Sequence, residues 1–259
     1  MTAPISDGRR VFLKKLLEGT AASIGAVLVY RQPALAELVA TAGADPSHDL
    51  GDHDYAFVVD VSKCIGCGNC VQACNLENKV PAGQFRTWIE RYVVTDDGVH
   101  VDSPDGGMNG FKPLEADLKN KAHNAFFVPK LCNQCANPPC VQVCPVGATF
   151  TSPEGFVLID PEHCIGCGYC IQACPYGARF MNAGKHIADK CTWCYHRVAK
   201  GQSPACVTVC PTQARLFGDL KDTNSQVAKV VREDRWRVLK PDMHTDPQCF
   251  YVGSHREIV

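Results

Sequence analysis

The chain has 259 residues and a formal net charge of −1 at pH 7. It is therefore long enough to bury a hydrophobic core, and it lacks the basic excess that nucleic-acid binding requires. Its 17 cysteines are the outlier of the composition. Cysteine in this number indicates either disulfide bonds or bound metal, and the spacing of the residues has to decide between the two.

The N-terminal residues follow a pattern typical of an export signal. The pair Arg9-Arg10 precedes a moderately apolar stretch from Leu16 to Tyr30. Small-residue cleavage sites follow, of which Ala34-Leu35-Ala36 is the best, with Ala40-Thr41-Ala42 and Ala42-Gly43-Ala44 as alternatives. This order predicts a twin-arginine signal peptide over residues 1–36, whereas an ordinary amphipathic helix is the less favoured interpretation.

The apolar stretch of this signal is too short and too polar to span a bilayer stably, since about 20 apolar residues are needed. The twin-arginine machinery carries proteins that have already folded, which suits a protein whose cofactors are inserted before export. We therefore predict a location in the periplasm or on the outer face of the cytoplasmic membrane. Attachment to that membrane would come through a partner protein.

The predicted elements are short strands and short helices. Phe57–Val61 and Val157–Asp160 are predicted strands, because β-branched and aromatic residues dominate them. Two hairpins are predicted, one joining Tyr92–Thr95 to Val99–Val101 and one joining Ala148–Thr151 to Phe156–Ile159. Short helices should begin near Val71, Val141, Ile171 and Val207 and carry the last cysteine of each of four groups.

Sixteen of the cysteines fall into these four groups, and Cys249 alone is left over, as a predicted buried strand residue. The groups are Cys64-x2-Cys67-x2-Cys70-x3-Cys74, Cys132-x2-Cys135-x4-Cys140-x3-Cys144, Cys164-x2-Cys167-x2-Cys170-x3-Cys174 and Cys191-x2-Cys194-x11-Cys206-x3-Cys210. Residues Asp60 to Cys74 recur 100 residues later as Asp160 to Cys174, and the second group resembles the fourth. The order A-B-A′-B′ indicates a duplicated ferredoxin-like unit.

This spacing is typical of [4Fe–4S] clusters, because three cysteines at Cys-x2-Cys-x2-Cys can wrap one side of a cubane in a tight loop. In two-cluster ferredoxins the fourth cysteine, usually followed by proline, ligates the other cluster. Proline follows the fourth cysteine three times, as Pro145, Pro175 and Pro211.

Cross-ligation of this kind predicts how the sixteen cysteines divide. Groups two and three, separated by 19 residues, form one unit, and groups one and four form the other. The predicted ligand sets are Cys64, Cys67, Cys70 and Cys210 for cluster 1, Cys74, Cys191, Cys194 and Cys206 for cluster 2, Cys132, Cys135, Cys140 and Cys174 for cluster 3, and Cys144, Cys164, Cys167 and Cys170 for cluster 4.

Two other uses of these cysteines are less favoured. Structural zinc needs only two Cys-x2-Cys pairs and does not explain a third cysteine at the same spacing. A disulfide scaffold would require bridging geometry that neighbouring Cys-x2-Cys residues rarely have. Among the other residues, His163 and His196 are interpreted as residues without a ligand role, and Trp193 and Trp236 as packing residues. The lysines next to or near ligands, Lys63, Lys130 and Lys190, are interpreted as solvated surface lysines, with an electrostatic effect on the cluster potentials as the less favoured alternative.

Three further stretches carry a resemblance to a known family: Glu77-Asn78-x2-Pro81-x-Gly83-x-Phe85-Arg86-Thr87, Cys174-Pro175-Tyr176-x-Ala178-Arg179-Phe180 and Val238-Leu239-Lys240-Pro241. Together with the cysteines they resemble the four-cluster iron–sulfur subunits of the dimethyl sulfoxide, polysulfide and tetrathionate reductase type. The exported subunit of the membrane complex associated with dissimilatory sulfite reduction is also similar. The resemblance covers roughly Tyr55 to Gly253.

The resemblance implies an α+β fold of duplicated two-cluster ferredoxin-like units with β-hairpin insertions and an extended C-terminal segment. In that family such a subunit relays electrons between a polytopic quinone-reacting membrane subunit and a molybdopterin catalytic subunit or a multihaem cytochrome. One departure is Asn75, which stands where the family often has proline. Some relatives replace one ligand by tryptophan and hold a three-iron cluster, whereas all sixteen positions are cysteine here.

The predicted organisation is a signal peptide at 1–36, a linker at 37–54, a four-cluster domain at 55–218 and a segment at 219–259 that wraps the core or docks a partner. Within the domain, 55–101 and 126–218 bind clusters and 102–125 is a surface loop. We expect an electron-transfer subunit without a substrate site, because no nucleophile–base set or phosphate loop occurs. The alternatives are a free-standing periplasmic polyferredoxin and a zinc-held interaction module.

The export prediction can be tested by replacing both Arg9 and Arg10 with lysine. Because the translocation machinery reads the arginine pair, the variant should accumulate in the cytoplasm as folded protein that carries its clusters. Fractionation of cells followed by iron analysis measures both properties. Normal export of the double variant would show that residues 1–36 are not a twin-arginine signal.

Overall fold

The computed structural model describes residues 53–233 and 235–253, so the predicted signal peptide and cleavage sites lie outside the described residues. The chain divides into two units, Met1–His48 and Asp49–Val259, and the described residues belong to the second. Within them, no helix has the length and apolar content needed to cross a membrane.

The described residues form eleven strands and seven α-helices. The strands are β1 (Tyr55–Asp60), β2 (Thr87–Thr95), β3 (Gly98–Asp102), β4 (Ala122–Leu131), β5 (Thr149–Thr151), β6 (Val157–Ile159), β7 (Arg179–Asn182), β8 (Ile187–Lys190), β9 (Arg215–Asp219), β10 (Trp236–Arg237) and β11 (Cys249–Val252). The helices are α1 (Asn69–Asn78), α2 (Ala116–Lys121), α3 (Pro139–Gln142), α4 (Tyr169–Gln172), α5 (Tyr195–Val198), α6 (Ala205–Thr208) and α7 (Gln226–Arg232).

The main sheet has the order β10-β11-β1-β9 and joins distant parts of the chain. Strand β1 pairs in parallel with β11, with Phe57 opposite Cys249, and antiparallel with β9, with Tyr55 opposite Asp219. The four residues from Ala56 to Val59 are fully buried, so β1 lies at the centre of the core. The segment predicted to wrap the core or dock a partner thus contributes two strands to the central sheet.

A second sheet, of order β3-β2-β4, carries the first predicted hairpin. Strands β2 and β3 pair antiparallel from Thr95–Gly98 to Arg91–Asp102, which extends the predicted hairpin at both ends. The predicted loop 102–125 differs from expectation, because it includes α2 and a turn of 3₁₀-helix at Pro104–Gly107. Gly107 is buried against Ile89, where a side chain would not fit.

Two short hairpins, β5-β6 and β7-β8, flank the cysteine groups in the middle of the chain. Thr149 pairs with Ile159, as the turn at residues 152–155 predicts. Helix α1 packs against α6 and α3 packs against α4, so the first cysteine group meets the fourth and the second meets the third.

The helices begin about two residues before the predicted positions, and three of them end before the fourth cysteine of their group. The prediction that every helix carries its last cysteine is therefore wrong for groups two to four. Prolines 145, 175 and 211 explain this, since a residue before proline disfavours helical geometry. In the first group Asn75 stands in place of proline, and α1 continues through Cys74 to Asn78.

Aromatic side chains fill the space between the main sheet and the cysteine loops. Trp193 is buried, with its ring centroid 5.7 Å from that of Phe57, 6.1 Å from that of Phe156 and 5.8 Å from that of Phe217. Trp236 meets Phe250 edge to face at 4.7 Å. Both tryptophans are packing residues, as predicted.

Repeat-related glycines offer a matched test of this packing. Gly68 and Gly168 both cap a helix with positive φ, of 82° and 79°. An alanine side chain at 168 would meet no atom, whereas at 68 it would collide with the backbone oxygens of Met108 and Gly107, the latter at 2.6 Å. Gly168→Ala should destabilise by about 1–2 kcal/mol through its backbone alone, and Gly68→Ala by clearly more.

The two variants are compared by thermal loss of cluster absorbance in anaerobically purified protein, with wild type alongside. The Gly68→Ala variant should lose its absorbance at the lower temperature. Equal midpoints for the two variants would contradict the close approach of residues 107–108 to the first cysteine loop.

Candidate functional site

Four cysteines from the first and last groups surround one cavity. Its lining includes Cys64, Cys67, Cys70 and Cys210, together with Arg215. Burial raises the pKa of the Cys64 thiol to about 11, and the negative charges of Cys70 and Cys210 add to the effect. The cavity therefore brings together the four residues of predicted set 1.

A second cavity has the same make-up in the other half of the domain. Its lining includes Cys132, Cys135, Cys140 and Cys174, together with Arg179. Burial raises the pKa of Cys135 to about 12, with further contributions from Cys132, Cys140 and Cys174. These four are the residues of predicted set 3.

The residues of predicted set 2 are neighbours in the interior. Burial raises the pKa of Cys74, and the charges of Cys191, Cys206 and Cys194 raise it further. The side-chain amide of Asn78 donates to the sulfur of Cys74 at 3.5 Å and to that of Cys194 at 3.7 Å. Helix α1 makes this possible, since its extra turn carries Cys74 and Asn78 on one face.

Predicted set 4 has the same mixture of burial as predicted set 1. Cys144 and Cys164 are half-buried, Cys167 is exposed and Cys170 is buried. Burial works to raise the pKa of Cys144, but the backbone N–H groups of Thr149, Val146 and Ala148 lower it overall. Cys164 and Cys170 share an apolar cluster with Cys140 of set 3.

The donors around these cysteines fit an anionic iron–sulfur group. All 17 cysteines lie in the described residues, and none of them forms a disulfide bond. Raised pKa values mean that burial opposes thiolate formation until a cation balances the charge, as bound iron does. Beside set 1, the Nε and Nη1 groups of Arg215 are buried with no acceptor among the described residues. A negatively charged sulfur acceptor there would satisfy them.

Three buried cations lie next to the cysteines, and the sequence interpretation did not single out two of them, Arg179 and Arg215. Arg179 donates from Nη2 to the sulfur of Cys140 at 3.0 Å. Arg215 and Lys190 are each 1% exposed. Both arginines follow the motif Cys-Pro-x2-Ala, at residues 174–178 and 210–214, and this repeated Cys-Pro-x2-Ala-Arg pattern could have identified them.

The surface-lysine interpretation is therefore wrong for Lys190. It holds for Lys63, which is exposed and pairs with Asp60 at 3.0 Å. Lys130 lies between these extremes, since it is half-buried and pairs with Glu90 at 2.7 Å.

The two histidines next to ligands pair with carboxylates. His163 lies 2.7 Å from Asp160, and His196 lies 2.8 Å from Glu77. The leftover Cys249 is fully buried in β11, as predicted.

Comparisons with known proteins identify the class of the protein. Two family models, both described as a 4Fe-4S dicluster domain, match residues 63–148 and 123–220. A tetrathionate reductase subunit of Salmonella typhimurium is 40% identical over 203 residues, covering 78% of this sequence and 73% of the relative. The protein is a member of the family of reductase iron–sulfur subunits. Together, two dicluster domains and the grouped cysteines correspond to four [4Fe–4S] clusters.

Other members of this iron–sulfur subunit family are similar over comparable lengths. A tetrathionate reductase subunit of Archaeoglobus fulgidus is 48% identical over 199 residues, covering 77% of this sequence and 82% of the relative. A polysulfide reductase component of Wolinella succinogenes is 36% identical over 205 residues, covering 78% and 95%. The family thus includes proteins named for several different reductases.

The division of ligands between clusters is our proposal, and it can be tested at Cys74. Cross-ligation assigns Cys74 to the cluster of Cys194, although in sequence it follows Cys67. Because loss of a thiolate leaves one iron without its ligand, Cys74→Ala and Cys194→Ala should perturb the same electron paramagnetic resonance signal. Cys210→Ala should perturb the signal that Cys67→Ala perturbs.

The control is Cys249→Ala, which removes a buried thiol outside the four sets. It should leave every signal intact and retain about sixteen irons and sixteen sulfides per chain, four of each for every cubane. A signal shared by Cys74→Ala and Cys67→Ala in folded protein would refute the division.

Proposed function

We propose that this protein relays electrons through its four clusters between a quinone-reacting membrane subunit and a catalytic or cytochrome partner of a respiratory complex. In this role the protein has no substrate site of its own. Its residues hold the clusters, set their potentials and present two of them to partners. The observation that carries the proposal is the exposure of Cys67 and Cys167.

Cys67 and Cys167 are the two exposed cysteines in the described part of the chain, which contains all of them. They occupy the same repeat position, the second cysteine of groups one and three. Under the proposed division they belong to set 1 and set 4, in different halves of the domain. Each half therefore offers one cluster for exchange with a partner.

Contacts among the inner cysteines support a continuous route between these two sets. Set 1 adjoins set 2, because the pKa of Cys206 is raised first by burial and then by the charges of nearby thiols, among which is Cys70 of set 1. Sets 2 and 3 adjoin at Cys191, where burial and then the charge of Cys132 raise the thiol pKa to about 12. Sets 3 and 4 share the apolar cluster of Cys140 and Cys170.

The surface around each exposed cysteine is suited to protein contact. Ile65, next to Cys67, is 59% exposed, and Ile165, next to Cys167, is 64% exposed. Tyr169 adds a third large exposed side chain, beside set 4. Apolar side chains grouped at a functional surface mark sites of protein–protein contact. Several relatives are named as parts of reductases, which supports a place within a complex.

The N-terminal sequence supports assembly of this complex outside the cytoplasm. We propose export by the twin-arginine machinery and peripheral attachment through the membrane subunit. A molybdopterin enzyme or a multihaem cytochrome would take the other end of the relay.

Partner docking can be tested with the repeat-related variants Ile65→Asn and Ile165→Asn. Each should weaken retention of one partner, and a different one, by about tenfold, since contact side chains at an interface contribute about 1 kcal/mol or more. The measurement is co-purification from gently solubilised membranes, with iron content confirming that the clusters remain.

The matched control is Val99→Asn, which removes an exposed apolar side chain from β3, away from the cysteine loops. It should leave both partners bound. A wild-type protein that purifies alone, with its clusters intact, would indicate a free-standing polyferredoxin instead.

A further inference from the structure

Arg215 lies between the first two ligand sets. It lines the cavity of Cys64, Cys67, Cys70 and Cys210. Arg215 also faces set 2, since Cys206 of that set is among its charged neighbours. Burial lowers the pKa of the guanidinium, but the charges of Cys70 and Cys206 raise it by more. The hydroxyl of Thr87 accepts from Nη2 at 2.8 Å and fixes the guanidinium in this place.

Lys190 lies where the two halves of the domain meet. Its ammonium group donates to the backbone oxygen of Cys191 at 2.9 Å and lies 3.7 Å from the sulfur of Cys132. These two cysteines belong to set 2 and set 3.

The same junction is fixed by two reciprocal hydrogen bonds between equivalent loop positions. The side chain of Gln134 donates to the carbonyl of Cys191 at 3.1 Å, and the indole of Trp193 donates to the carbonyl of Cys132 at 3.0 Å. Lys190 is therefore held in a defined position between the two loops.

Arg179 lies between the last two sets. It lines the cavity of set 3 and donates to the sulfur of Cys140 at 3.0 Å. It also contacts Cys170 of set 4, whose charge helps to raise the arginine pKa against the effect of burial. Thr149 accepts from Nη1 at 3.3 Å.

We propose that Arg215, Lys190 and Arg179 form a series of buried cations, one at each of the three electron-transfer steps, and that each raises the reduction potentials of the two clusters beside it. The proposal rests on the proposed ligand division and goes beyond the relay function. It assigns a positioning and potential-setting role to residues that are not ligands.

The physical reason is the low dielectric constant of the interior. A buried positive charge stabilises a neighbouring centre more after that centre gains an electron than before, and water screens this interaction little. Because each cation faces two sets, it acts on both in the same direction. It also offsets the repulsion that an electron on one cluster exerts on the next, so that neighbouring clusters can be reduced together.

The test uses the full-length protein with its clusters, purified anaerobically and titrated under electron paramagnetic resonance. Lys190→Gln should lower the equilibrium constants for reduction of clusters 2 and 3 by at least tenfold each, which is 59 mV for a one-electron couple. Arg215→Gln should do the same to clusters 1 and 2, and Arg179→Gln to clusters 3 and 4.

The control is Lys63→Gln, which removes the same charge directly before a ligand, as Lys190 does, but from an exposed position. Solvent screens that charge, so its removal should change every equilibrium constant less than the buried variants do. The charge-preserving variants Lys190→Arg, Arg179→Lys and Arg215→Lys should retain most of the wild-type potentials.

If Arg179→Gln or Arg215→Gln fails to assemble its clusters, Thr149→Val and Thr87→Val test the role of the same two arginines. They free Arg179 and Arg215 without removing charge, and each should shift the same pair of clusters in the same direction by a smaller factor. The proposal is overturned if a glutamine variant shifts the reduction potential of no cluster, of one cluster alone, or of clusters that do not adjoin the changed residue. It is also overturned if the charge-preserving variants shift the potentials as much as the glutamine variants do.

The cysteine variants above separate this failure from failure of the ligand division. If Cys74→Ala and Cys194→Ala do not share a signal, the division is wrong. If they share one and the cation variants shift no pair of clusters, the cation proposal alone is wrong. Neither measurement needs a redox partner, so loss of partner binding leaves both results interpretable.

Discussion

The structure depends on one electrostatic constraint: a small domain has to hold sixteen charged thiolates, and all of them except Cys67 and Cys167 are buried or half-buried. Burial raises the pKa of six of these thiols, so folding alone would leave those six protonated. Bound iron removes this conflict, and three buried cations reduce it further. Cysteines from distant groups also have to meet, and the packing of α1 against α6 and of α3 against α4 brings those groups together.

The prolines after the fourth cysteines show how a local feature meets this constraint. In three groups proline follows the fourth cysteine, and the helix ends two residues before that cysteine. In the first group Asn75 allows α1 to continue, and the added turn places Asn78 beside the sulfurs of Cys74 and Cys194. The replacement of proline by Asn75 in the first group thus gives set 2 a hydrogen-bond donor, Asn78.

Much of this arrangement could be predicted from the sequence, because cysteine spacing and repeated loops are local patterns. The two hairpins and the burial of Trp193 and Cys249 also follow from local composition. The place of β11 in the central sheet could not be predicted, since parallel pairing with β1 leaves no local pattern. Lys190 was misread for a related reason: a lysine before a ligand is exposed at position 63 and buried at 190, and only tertiary packing distinguishes the two.

The pairing of β1 with β9 and β11 has a consequence for the order of assembly during synthesis. The central strand emerges from the ribosome early, but both of its neighbours are translated more than 150 residues later. Cys64 and Cys210 line the same cavity, so this site can form only after Cys210 has been translated. Groups two and three, in contrast, are separated by only 19 residues. The half of the domain that contains sets 3 and 4 can therefore form first, and the half that contains sets 1 and 2 closes only after β9 and β11 have been translated. A cell that exports this protein folded must retain it until that last closure.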